Sequence, residues 1–115
     1  MHEAAVTEAL IDQVRALLPQ GGRLVACRVE VGALEHVDAS VLTTLWSAMV
    51  RSTELADAEL VVESVALSVR CAECGREHAP ADPAILLCPG CGAVRPEILA
   101  GTGIVLRALE IEESG

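Results

Sequence analysis

"CAECGREHAPADPAILLCPGCG" (Cys71–Gly92) sets the reading of the whole chain. It contains four thiols, Cys71, Cys74, Cys88 and Cys91, arranged as two C-x-x-C turns with thirteen residues between them, Gly75 to Leu87. In a C-x-x-C turn both sulfurs can point at one spot while backbone amides point the same way. A glycine follows each turn (Gly75, Gly92) and allows the positive φ such a turn often needs. Two turns supply four thiolates, the closed tetrahedral shell that zinc favours at structural sites. The rivals are a redox C-x-x-C pair and two disulfides. A redox site normally needs one such motif at the start of a helix in a βαβ context, and neither turn leads into a convincing helix. The bland role for zinc is a staple for an insert too small to fold alone, because metal binding energy becomes folding energy. A closed shell has no open position for water, which argues against hydrolytic zinc chemistry. With four sulfurs present, His78 reads as a surface or outer-shell residue.

Working outward, the stretch from Arg70 to about Ile98 differs in texture from its flanks. It holds four of the five Pro and has little core of its own. The flanks read as one α+β unit: a small sheet of about three strands with two helices. On its N-terminal side, Val6, Leu10, Val14, Leu17 and Leu18 recur at helical spacing from Glu3 to Leu18, and "PQGG" (Pro19–Gly22) stops that helix. "RLVACRVEVGAL" follows as a strand, with Val25, Cys27, Val29 and Val31 on one face and Gly32 ending the run. "DASVLTTLWSAMV" reads as a second helix with Asp38 at its N-cap. Its apolar stripe is Val41, Leu42, Leu45, Trp46, Met49 and Val50. "ELADAELVVESVALSV" reads as a short loop and one long strand whose alternation slips near Glu63–Ser64, as a bulge would make it. Beyond "AGTG", the segment "IVLRALEIEE" returns to strand. The expected organisation is residues 1–69 plus 100–115 as the α+β domain and 70–99 as a zinc-ribbon-like insert.

Composition narrows the function. The chain has 115 residues, 52% hydrophobic, with one Trp and no Phe or Tyr, so its core is aliphatic. The net charge is −9 and all eight basic residues are Arg. Phosphate backbones are held by clusters of Lys and Arg, and RNA readers add aromatic platforms, so nucleic acid is a poor partner. An anionic membrane surface is disfavoured by the same charge, and no run of about eighteen apolar residues could span a bilayer. A secretory signal is not recognisable, so the expected compartment is the cytoplasm, where thiols stay reduced. There Cys27, mid-strand among Val residues, reads as a small buried hydrophobe. The edge strands of so small a sheet leave a homodimer open.

The chain begins "MHE". The α-amine of Met1, the amide nitrogen of His2 and its imidazole can close fused chelate rings on one metal, with Glu3 adding a fourth ligand. A planar, nitrogen-rich set of this kind suits Ni(II) or Cu(II). It requires a retained Met1 with a free amine.

The MHE start, the first helix, the Val-rich strand ending in a Gly-x-Leu turn and the late pair of C-x-x-C turns together resemble the HypA/HybF family, nickel metallochaperones for [NiFe]-hydrogenase maturation. The resemblance covers nearly the whole chain. It implies that Met1, His2 and Glu3 bind nickel as transported cargo and that Cys71, Cys74, Cys88 and Cys91 bind structural zinc. Asp38 falls where an Asp approaches the nickel in some relatives; its other reading is helix capping. "GAL" (Gly32, Ala33, Leu34) stands where relatives often have Gly-Glu-Leu. The implied role is a cytosolic carrier without enzymatic activity that delivers nickel to the hydrogenase large subunit together with a nickel-binding maturation GTPase. In some bacteria the family also serves urease. The alternative is a zinc-ribbon protein-interaction module without nickel binding. A nickel site built on amine and imidazole must lose affinity below about pH 6.5, since protons compete for both nitrogens.

Overall fold

The computed structural model describes residues 2–82 and 85–113. Its elements run α1 (Glu3–Leu17), β1 (Gly22–Gly32), a 3-10 turn (Ala33–Glu35), α2 (Ala39–Val50), β2 (Glu59–Val65), β3 (Ser68–Cys71), β4 (Glu77–His78), β5 (Pro96–Ala100) and β6 (Ile104–Glu113). This is the expected α+β class. The chain divides into two compact units. One takes in the residues through Glu30, Val37–Glu63 and the chain from Val105 onward; the other is Val31–His36 with Ser64–Ile104.

The first unit is a three-stranded sheet, order β2-β1-β6, with the two helices packed on one another. Thr7, Leu10, Ile11 and Val14 are the buried stripe of α1. Thr7 belongs to that stripe because its hydroxyl is satisfied locally, donating to the Glu3 carbonyl at 2.7 Å. Leu17, the last residue of the helix, is 59% exposed and falls outside the stripe the periodicity predicts. In α2 the buried positions are Leu42, Trp46 and Val50, spaced four apart; Val41 faces outward. Trp46 is the largest fully buried side chain, and its indole N–H donates to the Ala58 carbonyl at 3.0 Å, so its polar atom is not stranded in the core. Central strand β1 buries Leu24, Cys27, Val29 and Val31. Leu24, not Val25, is the buried residue near its start, so the two-residue period slips between Leu24 and Cys27. Cys27 is wholly buried, and burial pushes its thiol up to about 11.

The second unit has its own three-stranded sheet, order β4-β3-β5, antiparallel throughout. The long strand expected across Glu59–Val69 does not run through. It stops at Val65 and restarts at Ser68 in the other sheet. β2 itself runs on through Glu63–Ser64 to Val65, and the break that divides the expected strand falls at Ala66–Leu67. A bulge does occur where Ser68 pairs with Ala100 and Val69 with Ile98, leaving Leu99 as the extra residue. Arg70 lies between Glu77 and Glu97 on neighbouring strands, 3.6 and 3.7 Å from their carboxylates.

A tight clasp holds Val31–His36 within this unit. The Gly32 N–H donates to the Gly103 carbonyl, the Leu34 N–H to the Gly101 carbonyl, and the Gly103 N–H to the Glu35 carboxylate at 2.8 Å. A Cβ on Gly32 would stand 2.3 Å from the Gly101 carbonyl carbon, so only glycine fits. Among the described residues no helix is long and apolar enough to cross a membrane.

Candidate metal centre

Two copies of one backbone turn build the cysteine cluster. In the first, the Cys71 N–H donates to the Arg76 carbonyl and the Gly75 N–H returns to the Cys71 carbonyl, both at 2.8 Å. In the second, the Cys88 N–H donates to the Ala93 carbonyl and the Gly92 N–H to the Cys88 carbonyl, both at 2.9 Å. Gly75 and Gly92 each adopt φ of 78°, the left-handed conformation that their sequence positions call for. The sheet delivers the first turn directly: β3 ends at Cys71, which pairs with Pro96 of β5.

The four sulfurs lie within 4.8 Å of one another. Cys71 and Cys91 are 3.6 Å apart, as are Cys74 and Cys88. A tetrahedral zinc with bonds of about 2.3 Å has sulfur–sulfur edges of about 3.8 Å. The cluster is therefore preformed at the size of such a shell. Electrostatics point the same way. Backbone N–H groups of Cys74 and Glu73 hold the Cys71 thiol below its ordinary range. Those of Cys91 and Gly90 bring Cys88 down to about 6, and the Gly90 N–H lies 3.4 Å from its sulfur. The Ala93 N–H acts to lower Cys91, but hydrogen bonding with the Cys71 sulfur and burial outweigh it and push that thiol up to about 12. Cys71 and Cys88 are thus set toward thiolate, and two such charges at one spot favour a cation between them.

Two features of the centre carry no sequence signature. Arg95 pairs with Glu73 while the Ala72 N–H donates to the Arg95 carbonyl at 2.8 Å, tying the first turn to the residues after the second. Arg76, from the first turn, lies over Gly90 of the second, 3.1 Å from where a Cβ would be. His78 shares a recess with Val69, Cys71 and Cys88. Its Nδ1 is buried without a hydrogen-bond partner among the described residues.

The N-terminal residues belong to the other unit. Met1 lies outside the described residues. His2 is exposed and stands at the N-cap of α1, its carbonyl accepting the first helical bond from the Val6 N–H at 3.0 Å. The Glu3 carboxylate accepts the Asp38 backbone N–H at 3.3 Å, so the start of α1 meets the start of α2. Asp38 caps α2, accepting from the N–H groups of Ser40 and Val41. The Ser40 hydroxyl, then the Val41 and Ser40 amides, hold its carboxyl below the usual range. The two metal motifs of the sequence thus fall in separate units, with Glu3 and Asp38 together in one and the four cysteines together in the other.

A small α+β protein whose four cysteine sulfurs cluster at the size of a tetrahedral metal shell has the form of a metal-handling protein. Residues 1–111 match the family described as "Hydrogenase/urease nickel incorporation, metallochaperone, hypA", and the chain belongs to the HypA family. It is 35% identical to the hydrogenase maturation factor HypA of Streptomyces avermitilis, over 98% of this chain and 88% of that one. It is 31% identical to that of Chloroflexus aggregans, over 96% and 98% of the two chains. The fold is that of the Ni metallochaperone HypA from Helicobacter pylori in solution, with a TM-score of 0.64 at 19% identity, covering 99% of this chain and all of the other.

Proposed function

We propose that the chain is a nickel carrier without catalysis of its own. It binds Ni(II) through the Met1 amine, the His2 imidazole and amide and the Glu3 carboxylate, and hands it on during hydrogenase maturation. Receivers in this reading are a nickel-binding maturation GTPase and the hydrogenase large subunit in the cytoplasm, with urease as a second destination. Membership in the HypA family, over residues 1–111, carries the reading. The hydrogen bond from the Asp38 backbone N–H to the Glu3 carboxylate supports it, because it draws the start of α2 to the start of α1, where the ion would be gripped.

Both helix starts carry partial positive charge, which opposes a cation; the two carboxylates offset it. A site built from such opposed contributions binds weakly, and a carrier must release its cargo. Cys71, Cys74, Cys88 and Cys91 would hold zinc, which supplies the cross-link that fixes the two turns. With its shell closed, the zinc is structural.

The test is calorimetric nickel titration of the native chain, of His2→Ala and of a chain with one extra Gly ahead of Met1. The added residue keeps the imidazole but moves the amine away from it. Both variants are expected to lose nickel and keep zinc at one per chain. Nickel binding unchanged in both refutes the amine–imidazole site.

A further inference from the structure

Asp38 collects more on one carboxylate oxygen than a helix cap requires. Its Oδ1 accepts the Ser40 N–H at 2.8 Å, the Val41 N–H at 3.3 Å and also the Ser40 hydroxyl at 2.7 Å. The two backbone donors complete the cap. The hydroxyl is a third donor on the same oxygen and restrains the plane of the carboxylate, whose terminal torsion is otherwise broad. No described residue donates to Oδ2, which therefore keeps its lone pairs for another partner. The same residue's backbone N–H is bonded to Glu3 Oε2, next along the chain from His2.

We infer that Ser40 is a positioning residue for nickel: its hydroxyl pins Oδ1 of Asp38 onto α2 and so presents Oδ2 to an ion held by His2 and Glu3. The inference rests on the nickel reading above. The physics is that of any ligating carboxylate. A donor on the non-ligating oxygen removes the rotational freedom that binding would otherwise have to freeze, and outer-shell donors of this kind change metal affinity by about 10- to 100-fold. Ser40 touches Asp38 and not the ion, so its effect must pass through the carboxylate.

A double-mutant cycle separates this from simple helix capping. Ni(II) affinity, zinc content and thermal midpoint are measured for the native chain, Ser40→Ala, Ser40→Thr, Asp38→Ser and the Asp38→Ser/Ser40→Ala pair, with His2→Ala as control. Asp38→Ser replaces one good N-cap by another, so the helix start survives while the carboxylate goes. Ser40→Ala is expected to weaken nickel about tenfold with zinc unchanged. Ser40→Thr keeps the hydroxyl and should bind as the native chain does. In the Asp38→Ser background, Ser40→Ala should have no further effect on nickel. A Ser40→Ala chain that binds like the native one overturns the inference. So does an equal loss in both backgrounds, which would mean that Ser40 acts on the helix and not through the carboxylate. His2→Ala tells the two levels apart. Nickel lost there but indifferent to Ser40 refutes only the positioning role. Nickel indifferent to His2 refutes the site itself.

Discussion

The two units of this chain reach stability by different means. The first is held by an ordinary apolar core: Leu10, Val14, Leu24, Val29, Leu42, Trp46, Val50 and Leu55 are almost completely buried. The second buries Val31, Leu67, Val69 and the sulfurs of Cys71 and Cys88, and leaves Ile85, Leu87, Val94, Ile98 and Leu99 well exposed. Forty-seven residues with so few buried side chains cannot offset their conformational entropy by hydrophobic burial alone. Hydrogen-bonded turns supply part of the difference, and in the proposed reading a zinc ion held by the four clustered sulfurs would supply the rest. The lesson is that a length adequate for one domain need not mean one mode of stabilisation. The apolar residues of the second unit are present in the sequence but are not gathered into a core.

This contrast can be broken by experiment, and the largest effect is expected at the cluster. Cys88→Ser should abolish zinc binding at the cluster and collapse the amide dispersion of residues 64–104, while Trp46 fluorescence stays that of a buried indole. If Trp46 becomes exposed as well, the two units fold as one and the comparison fails. Trp46→Ala attacks the other side. It should cost about 3–5 kcal/mol in denaturant unfolding of the first unit, as expected for deleting a fully buried aromatic, with zinc still bound at one per chain.

Gly32→Ala probes the clasp of the second unit. The added Cβ meets Gly101 backbone that cannot yield as a side chain would, and a loss of about 1–3 kcal/mol is expected, read from urea midpoints.

The smallest effect is chemical and not structural. In metal-free protein at pH 7, Cys88, brought down to about 6, should alkylate readily, whereas Cys27, pushed up to about 11, should not react until the first unit unfolds. The sign follows from the direction of each shift. A depressed thiol is thiolate above its folded value and takes up a proton as pH falls through it, so proton competition for the bound ion through Cys88 begins below about pH 6. A raised thiol stays neutral until the pH passes its own higher value. Mass spectrometry of alkylated peptides across pH checks both; Cys27 labelling in the folded chain would contradict its burial.

Much of the cluster was legible because its information is local. Cys71, Cys74 and Gly75, like Cys88, Cys91 and Gly92, specify a turn within five residues, and the turn geometry aims the sulfurs whatever the rest of the chain does. The Asp38 cap was legible for the same reason: an acceptor just ahead of an apolar stripe meets the amides two and three residues on. Helix faces were legible to within a rotation. Thr7 entered the buried stripe and Leu17 left it, because burial depends on what a helix packs against and not on its periodicity alone.

What the sequence determined by itself was the α+β class, the two turns that gather four cysteine sulfurs and the places where helices start, all matters settled by neighbours a few residues apart. What only the tertiary structure decided was long-range. The strand expected through Glu59–Val69 divides between two sheets, Val31–His36 joins the cysteine unit through Gly32 and Glu35, and Glu3 meets Asp38 across thirty-five residues of chain. The physical reason is that a backbone amide or a strand edge carries no mark of its distant partner. Which partner it takes is decided by the free energy of the whole packed arrangement, and that quantity has no local spacing from which to read it.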